Sequence, residues 1–120
     1  MHGLRQDIDL SFLYGRELVQ LAIGLYQIIL RFDEEVAISV EGEFRYFDGQ
    51  DEWAWRPEPG SSLCAAHVAS SLGMTIDSVR GDANGTLVLV FSNSHRLTLM
   101  DANKEYESYD ITRAGQTIVV

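Results

Sequence analysis

Ile28-Ile29-Leu30-Arg31-Phe32-Asp33-Glu34-Glu35-Val36-Ala37-Ile38-Ser39-Val40 is the stretch that decides the fold. Tyr26, Ile28, Leu30 and Phe32 fall on one face of an extended chain, with Gln27 and Arg31 on the other and Ile29 between them. After the charged turn Asp33-Glu34-Glu35, the residues Val36, Ile38, Val40 and Phe44 repeat the apolar face, while Ser39, Glu41 and Glu43 point away. A period of two with a turn at its middle predicts an antiparallel hairpin, dry on one face and wet on the other.

The pattern has an echo. Gly15-x-x-Leu18-x-x-Leu21 before the hairpin resembles Gly73-x-x-Ile76-x-x-Val79, which precedes Leu87-Val88-Leu89-Val90-Phe91 and then Leu97-Thr98-Leu99-Met100. The offset is 58 residues at the glycine, 59 at the first run and 61 after the turn, which reads as longer loops in the second copy. Two similar β-meander halves follow, over about 13–44 and 71–101. Two copies are too few for a solenoid. The run Leu87–Phe91 is apolar on both faces, so it is expected nearer a sheet centre. Asn84-Gly85 before it is a tight-turn signal, and Gly81 to Gly85 reads as a hairpin loop and not as a phosphate-binding loop. Shorter strands are expected around Glu107–Thr112 and Gln116–Val120. Tyr109 shares parity with Ile111, which places its ring inside and its hydroxyl at the margin.

Between the halves the pattern changes. Asp48 to Gly60 is polar, holds both prolines and both tryptophans, and reads as a loop. Ser61-Ser62 suits a helix start, Leu63 to Leu72 a helix, and Gly73 its end. On an α-helical wheel Cys64, Ala65, Val68, Ala69 and Leu72 form the apolar stripe, with Leu63, His67 and Ser70 opposite. Asp9 to Arg16 fits either a helical turn or a strand. The expected architecture is α+β, a mainly antiparallel sheet of about six to eight strands with one main helix near 61–72, in a single domain spanning 1–120.

Composition narrows the function. The chain has 120 residues, 9 basic and 18 acidic, for a net charge of −9. Hydrophobic residues at 46% and charged residues at 22% are the balance of a globular domain, and this length supports a core without staples. With Lys104 the sole lysine, the cation cluster that phosphate contacts require is missing, so nucleic acid is not an expected partner. The single cysteine, Cys64, excludes an intrachain disulfide framework and any multi-cysteine zinc site. No apolar run approaches the roughly 20 residues that span a bilayer, and the start reaches Asp7 too soon for a signal peptide. The expectation is a cytoplasmic protein without a membrane partner.

Residues that could carry chemistry each have a plainer reading. Cys64 and His67, three apart, could form a thiolate–imidazole pair, but a lone cysteine at the edge of an apolar stripe packs as a small hydrophobe. His2, His67 and His95 have no partner at ligand spacing, so no metal and no cofactor are expected. No residue is assigned a catalytic role, and the reading leans away from an enzyme.

The acids are concentrated. From Asp33 to Glu58 nine carboxylates face only Arg45 and Arg56, a local charge of −7, against −2 for the other 94 residues. This reads as a solvated face or as a surface that steers a basic partner. Trp53 and Trp55, two apart, share a face within it. They either close an open end of the sheet or anchor an interface rimmed by charge. The candidate partner-binding set is Glu41, Glu43, Asp51, Glu52, Trp53 and Trp55.

Leu13-Tyr14-Gly15-Arg16-Glu17-Leu18, Ile23-Gly24-Leu25-Tyr26-Gln27-Ile28, Ile38-Ser39-Val40-Glu41-Gly42 and Tyr106-Glu107-Ser108-Tyr109-Asp110-Ile111 together resemble a family of small bacterial proteins labelled only as a domain of unknown function. The resemblance implies a compact stand-alone bacterial domain and brings no catalytic residues with it. Size and acidity also give a loose likeness to immunity proteins, which neutralise a toxin by binding it. The expected function is a non-enzymatic protein-binding module meeting a basic partner. The alternatives are a homo-oligomeric structural domain, paired as a homodimer through Thr117-Ile118-Val119-Val120, or a small-ligand-binding protein without a motif.

Overall fold

A computed structural model describes residues 9–101 and 108–120. His2, Tyr106 and Glu107, considered above, lie outside the described residues. Among the described residues ten strands form two antiparallel five-stranded sheets. The first three are β1 (Leu18–Ile23), β2 (Ile28–Phe32) and β3 (Val36–Val40), followed by β4 (Phe44–Phe47) and β5 (Glu52–Trp55). A short helix α1 (Ser62–Ala66) runs into a 3-10 segment (His67–Ser71). Then come β6 (Ile76–Gly81), β7 (Leu87–Phe91), β8 (Arg96–Leu99), β9 (Tyr109–Arg113) and β10 (Gln116–Val119).

The sheet orders are β1-β2-β3-β9-β10 and β6-β7-β8-β4-β5. Each half of the chain thus supplies a three-stranded meander to one sheet and a hairpin to the other. The α+β class holds, with ten strands where six to eight were expected.

The four strands that escaped the sequence reading did so for physical reasons. In β1 and β6 the pairing slips by one residue, between Leu18 and Gln20 and between Ile76 and Ser78. A bulge breaks the period of two on which a strand is recognised. β4 has only four residues, and in β5 the outward positions are Glu52 and Ala54, so the polar, proline-bearing stretch from Asp48 to Gly60 reads as a loop.

Backbone contacts relate the two halves by a pseudo-twofold axis through the bridge of Glu17 to Thr75. Around it the hydrogen bonds are reciprocal. Gly15 N–H donates to Ile76 and Gly73 N–H to Leu18, both at 2.8 Å, while Leu18 donates to Met74 and Ile76 to Arg16. Gly15 and Gly73 sit at φ +77° and +85°, where a side chain is strained, so both positions favour glycine. Leu30 faces Ile38 as Leu89 faces Leu97, so the two β-turns are equally long. The added length lies after β8 instead, which corrects the 61-residue offset. Val40 faces Tyr109 as Leu99 faces Phe44, and Ile111 faces Ile118 as Tyr46 faces Trp53.

One hydrophobic cluster draws on both sheets, including Ile28, Leu30, Ile38, Val40 and Ile111 from one and Phe44, Tyr46, Leu87, Leu89 and Leu97 from the other. The alternation read from the hairpin holds from Ile28 to Val40, but Tyr26 lies outside β2 and is exposed. The outer residues Val88 and Val90 of β7 are half-buried, and β8, not β7, is the central strand. The helix also departs from its wheel. Ala65, Val68 and Ser71 are buried, whereas Ala69 and Leu72 are exposed. Winding at three residues per turn after Ala66 aligns every third side chain and rotates the buried stripe.

Candidate functional site

The predicted partner-binding residues do not form one surface. Glu41 and Glu43 lie in the connection from β3 to β4 rather than on a strand. Glu43 is engaged by both arginines of the acidic stretch, Arg56 Nε at 3.1 Å and Arg45 Nε at 3.5 Å, and Arg45 reaches Glu52 at 3.6 Å. These exposed pairs add little stability, yet they offset part of the local charge. Asp51 is exposed in the β4–β5 turn. Trp53 and Trp55 do share a face, but it is the inner one. Trp55 is 1% exposed and stacks on Phe44 at 5.3 Å, so it offers a partner no surface. Trp53, nearer the sheet end, is half-buried and lies flat on the His67 ring, with centroids 3.7 Å apart and planes 7° from parallel.

Behind that stack is a polar cluster that the sequence reading missed. Tyr46 on β4 is fully buried, and its Oη contacts Ser71 Oγ, His95 Nδ1 at 2.6 Å and Ser70 Oγ at 3.0 Å. Ser70 Oγ also lies 3.1 Å from His95 Nδ1 and donates to the His67 carbonyl at 2.8 Å. Asn93 Nδ2 donates to Ser71 Oγ at 3.3 Å, and Asn93 Oδ1 accepts the His95 N–H at 3.1 Å.

Ser70 Oγ donates to the His67 carbonyl and Asn93 Nδ2 donates to Ser71 Oγ, while the contacts among Tyr46 Oη, Ser70 Oγ, Ser71 Oγ and His95 Nδ1 take their direction from the imidazole tautomer. Of the Cys64–His67 pair, His67 stacks on Trp53 and Cys64 is half-buried.

Asp48 completes this end of the sheet. Its Oδ1 accepts the N–H groups of Asp51 at 2.8 Å and Gln50 at 2.9 Å, and its Oδ2 lies 3.5 Å from Trp53 Nε1. The Asp51 and Gln50 N–H groups hold its carboxyl below the usual range. A signal for the cluster was available. The backbone correspondence sets Tyr46 against Ile111, Ser71 against Leu13, Ser70 against Phe12 and His95 against Val36. Polar residues occupy one half where the other keeps apolar ones. Phe12, Ile111 and Ile118, with Asp9, Arg113 and Gln116, line a cleft of about 280 Å³ at the corresponding corner.

Among the described residues no helix is long and apolar enough to cross a membrane. No curated protein and no solved structure matches the chain. One family model, described as a family of unknown function, DUF6188, matches residues 11–120. That match spans nearly the whole chain, which therefore belongs to the DUF6188 family.

Proposed function

We propose that this domain is a non-enzymatic protein-binding module whose contact face is the end of the second sheet around Trp53. The observation that carries the reading is the Trp53–His67 stack, a half-buried aromatic pair clamped from behind by the Tyr46 cluster. A pre-positioned tryptophan loses little freedom on binding, and such residues dominate interface energetics. Asp48, Asp51 and Glu52 rim it and favour a basic partner. An immunity-like inhibitor of a basic protein is one concrete form of this activity. Trp55 plays no direct part, and Glu43, already paired with arginines, contributes less than Asp51.

The test is capture from a lysate of the source organism at low and high salt, using wild-type, Trp53→Ala and Asp51→Asn baits. A basic protein held by wild type at low salt, weakened by salt and by Asp51→Asn and lost with Trp53→Ala, supports the reading. Retention indifferent to both substitutions overturns it. The cleft lined by Phe12, Ile111 and Ile118 favours the second reading, a small apolar ligand.

A further inference from the structure

The large apolar side chains that remain exposed are concentrated on neighbouring elements. Val19 and Ile23 lie on β1, with Leu25 and Tyr26 at the tip of its hairpin with β2. Leu63 and Leu72 lie on and just after the helical segment that packs against β1. Their exposures run from 41% at Ile23 and Leu72 to 79% at Leu63, and among the described residues only Tyr14 of the large exposed hydrophobics lies elsewhere. Single exposed leucines need no explanation, whereas a concentration of this kind marks a contact surface.

β1 is also a sheet edge. Gly24 N–H donates to the Gln27 carbonyl at 2.8 Å and closes the hairpin. Antiparallel alternation from that pair turns the N–H and C=O groups of Leu21 and Ile23 away from β2.

The pseudo-twofold supplies an internal control. Val19-Gln20-Leu21-Ala22-Ile23 on β1 corresponds to Asp77-Ser78-Val79-Arg80-Gly81 on β6. Charges on an edge strand oppose pairing with another chain. β6 carries them and β1 does not. From Leu18 to Gln27 no residue is charged, in a chain of net charge −9. Two copies of such a chain repel one another overall. An uncharged edge set against itself across a two-fold axis is a contact at which that repulsion is small.

We infer that β1 and the tip of its hairpin form a self-association surface, at which a second copy of this chain adds its own β1 antiparallel and extends the sheet. β1 lies in the other sheet from Trp53. β10, which carries the C-terminal segment expected to pair in a homodimer, is the other edge of the β1 sheet and presents no large exposed hydrophobic side chain. Val120 is fully buried, with its N–H bonded to Tyr109 and its carbonyl accepting from Ser108 and Tyr109, so deleting it removes core rather than interface.

Sedimentation velocity of the full chain over a concentration series tests this. The expected result is a concentration-dependent dimer that added salt tightens, because salt screens the net repulsion. That sign is opposite to the salt effect on a basic partner at Trp53, so the two readings fail separately. Val19→Glu and Leu25→Glu, both at exposed sites, raise the dimer dissociation constant by about tenfold or more. Ser78→Glu on the β6 edge leaves it unchanged. Hydrogen exchange on wild type gives a readout independent of any variant: the Leu21 and Ile23 amides slow as protein concentration rises. A monomer at every concentration overturns the proposal, as does a dimer that tolerates both substitutions with unchanged exchange at Leu21 and Ile23.

Discussion

At one corner of the molecule Leu13, Val36 and Ile111 belong to the hydrophobic core and Phe12 packs against it; at the other the same backbone positions hold Ser71, His95, Tyr46 and Ser70. The main chain around both corners is alike, down to the paired bulges and the positive φ of Gly15 and Gly73. What differs is how each corner is stabilised. The apolar corner needs volume and tolerates imprecise direction. The polar corner buries Tyr46 and Ser71, and each buried hydroxyl must find a partner or lose its hydration without compensation. The same backbone therefore carries a permissive corner and a demanding one, and the demanding one supports the half-buried Trp53.

The most disruptive way to break this comparison is to move a serine across it. Leu13 is 0% exposed and takes the place that Ser71 holds in the other half. Leu13→Ser leaves a cavity and a hydroxyl without the Tyr46 and Asn93 that serve Ser71. The expected loss is about 3–5 kcal/mol, read from urea unfolding. A loss below about 1 kcal/mol would mean that the apolar corner accepts polar groups as readily as its counterpart, and the distinction would collapse.

Tyr46→Phe acts on the other corner with a smaller effect. It removes the oxygen to which Ser71, Ser70 and His95 all turn, leaving a buried serine with one partner fewer. The expected loss is about 1–3 kcal/mol. A cycle with Ser71→Ala sharpens the point. If the cluster acts as a unit, the double variant loses less than the sum of the singles. Strict additivity would reduce the cluster to separate pairs.

Much of the architecture is legible in the sequence, and the limits have identifiable causes. The hairpin from Ile28 to Val40 is readable because its core face is unbroken leucine, isoleucine, valine and phenylalanine at period two. β1 and β6 are unreadable by the same rule because each bulge puts two residues where one belongs. Trp53 and Trp55 are readable as a same-face pair, but which face depends on the sheet that β4 and β5 join. That sheet belongs to the other half of the chain, a long-range fact no local pattern contains. An α-helical wheel sets His67 and Ser70 on the solvent side; Ser70 is indeed exposed, while His67 is half-buried against Trp53 and the Ser70 hydroxyl still reaches Tyr46. Tyr46 and His95 are 49 residues apart and only the fold brings them together.

A second buried tyrosine allows the finest form of the comparison. Tyr109 takes the position of Phe44 in the other half and is 1% exposed. Its hydroxyl is not at the margin, as parity had indicated, but bonded within the core to the Gly85 carbonyl at 2.7 Å. Gly85 is at φ +94°, and a Cβ there would collide with Asp101, so the carbonyl is held in place. Burial is the main reason the phenol is pushed well above its ordinary value of 10.0, with Asp101 and Asp82 adding to the shift. The folded state thus keeps the proton that the unfolded state gives up. Stability from this group is complete below pH 10 and declines as pH rises above it toward the raised folded value. Tyr109→Phe removes one hydrogen bond, and the expected loss at neutral pH is about 1 kcal/mol. Because phenylalanine cannot ionise, the gap between wild type and variant should narrow as urea unfolding is repeated above pH 10. A constant gap would show that the unfolded and folded phenols titrate alike, and Tyr109 would then not differ from an exposed tyrosine. Tyr46 faces three partners and Tyr109 one, so the shrinking gap measures what a single carbonyl in an apolar surrounding does to a hydroxyl.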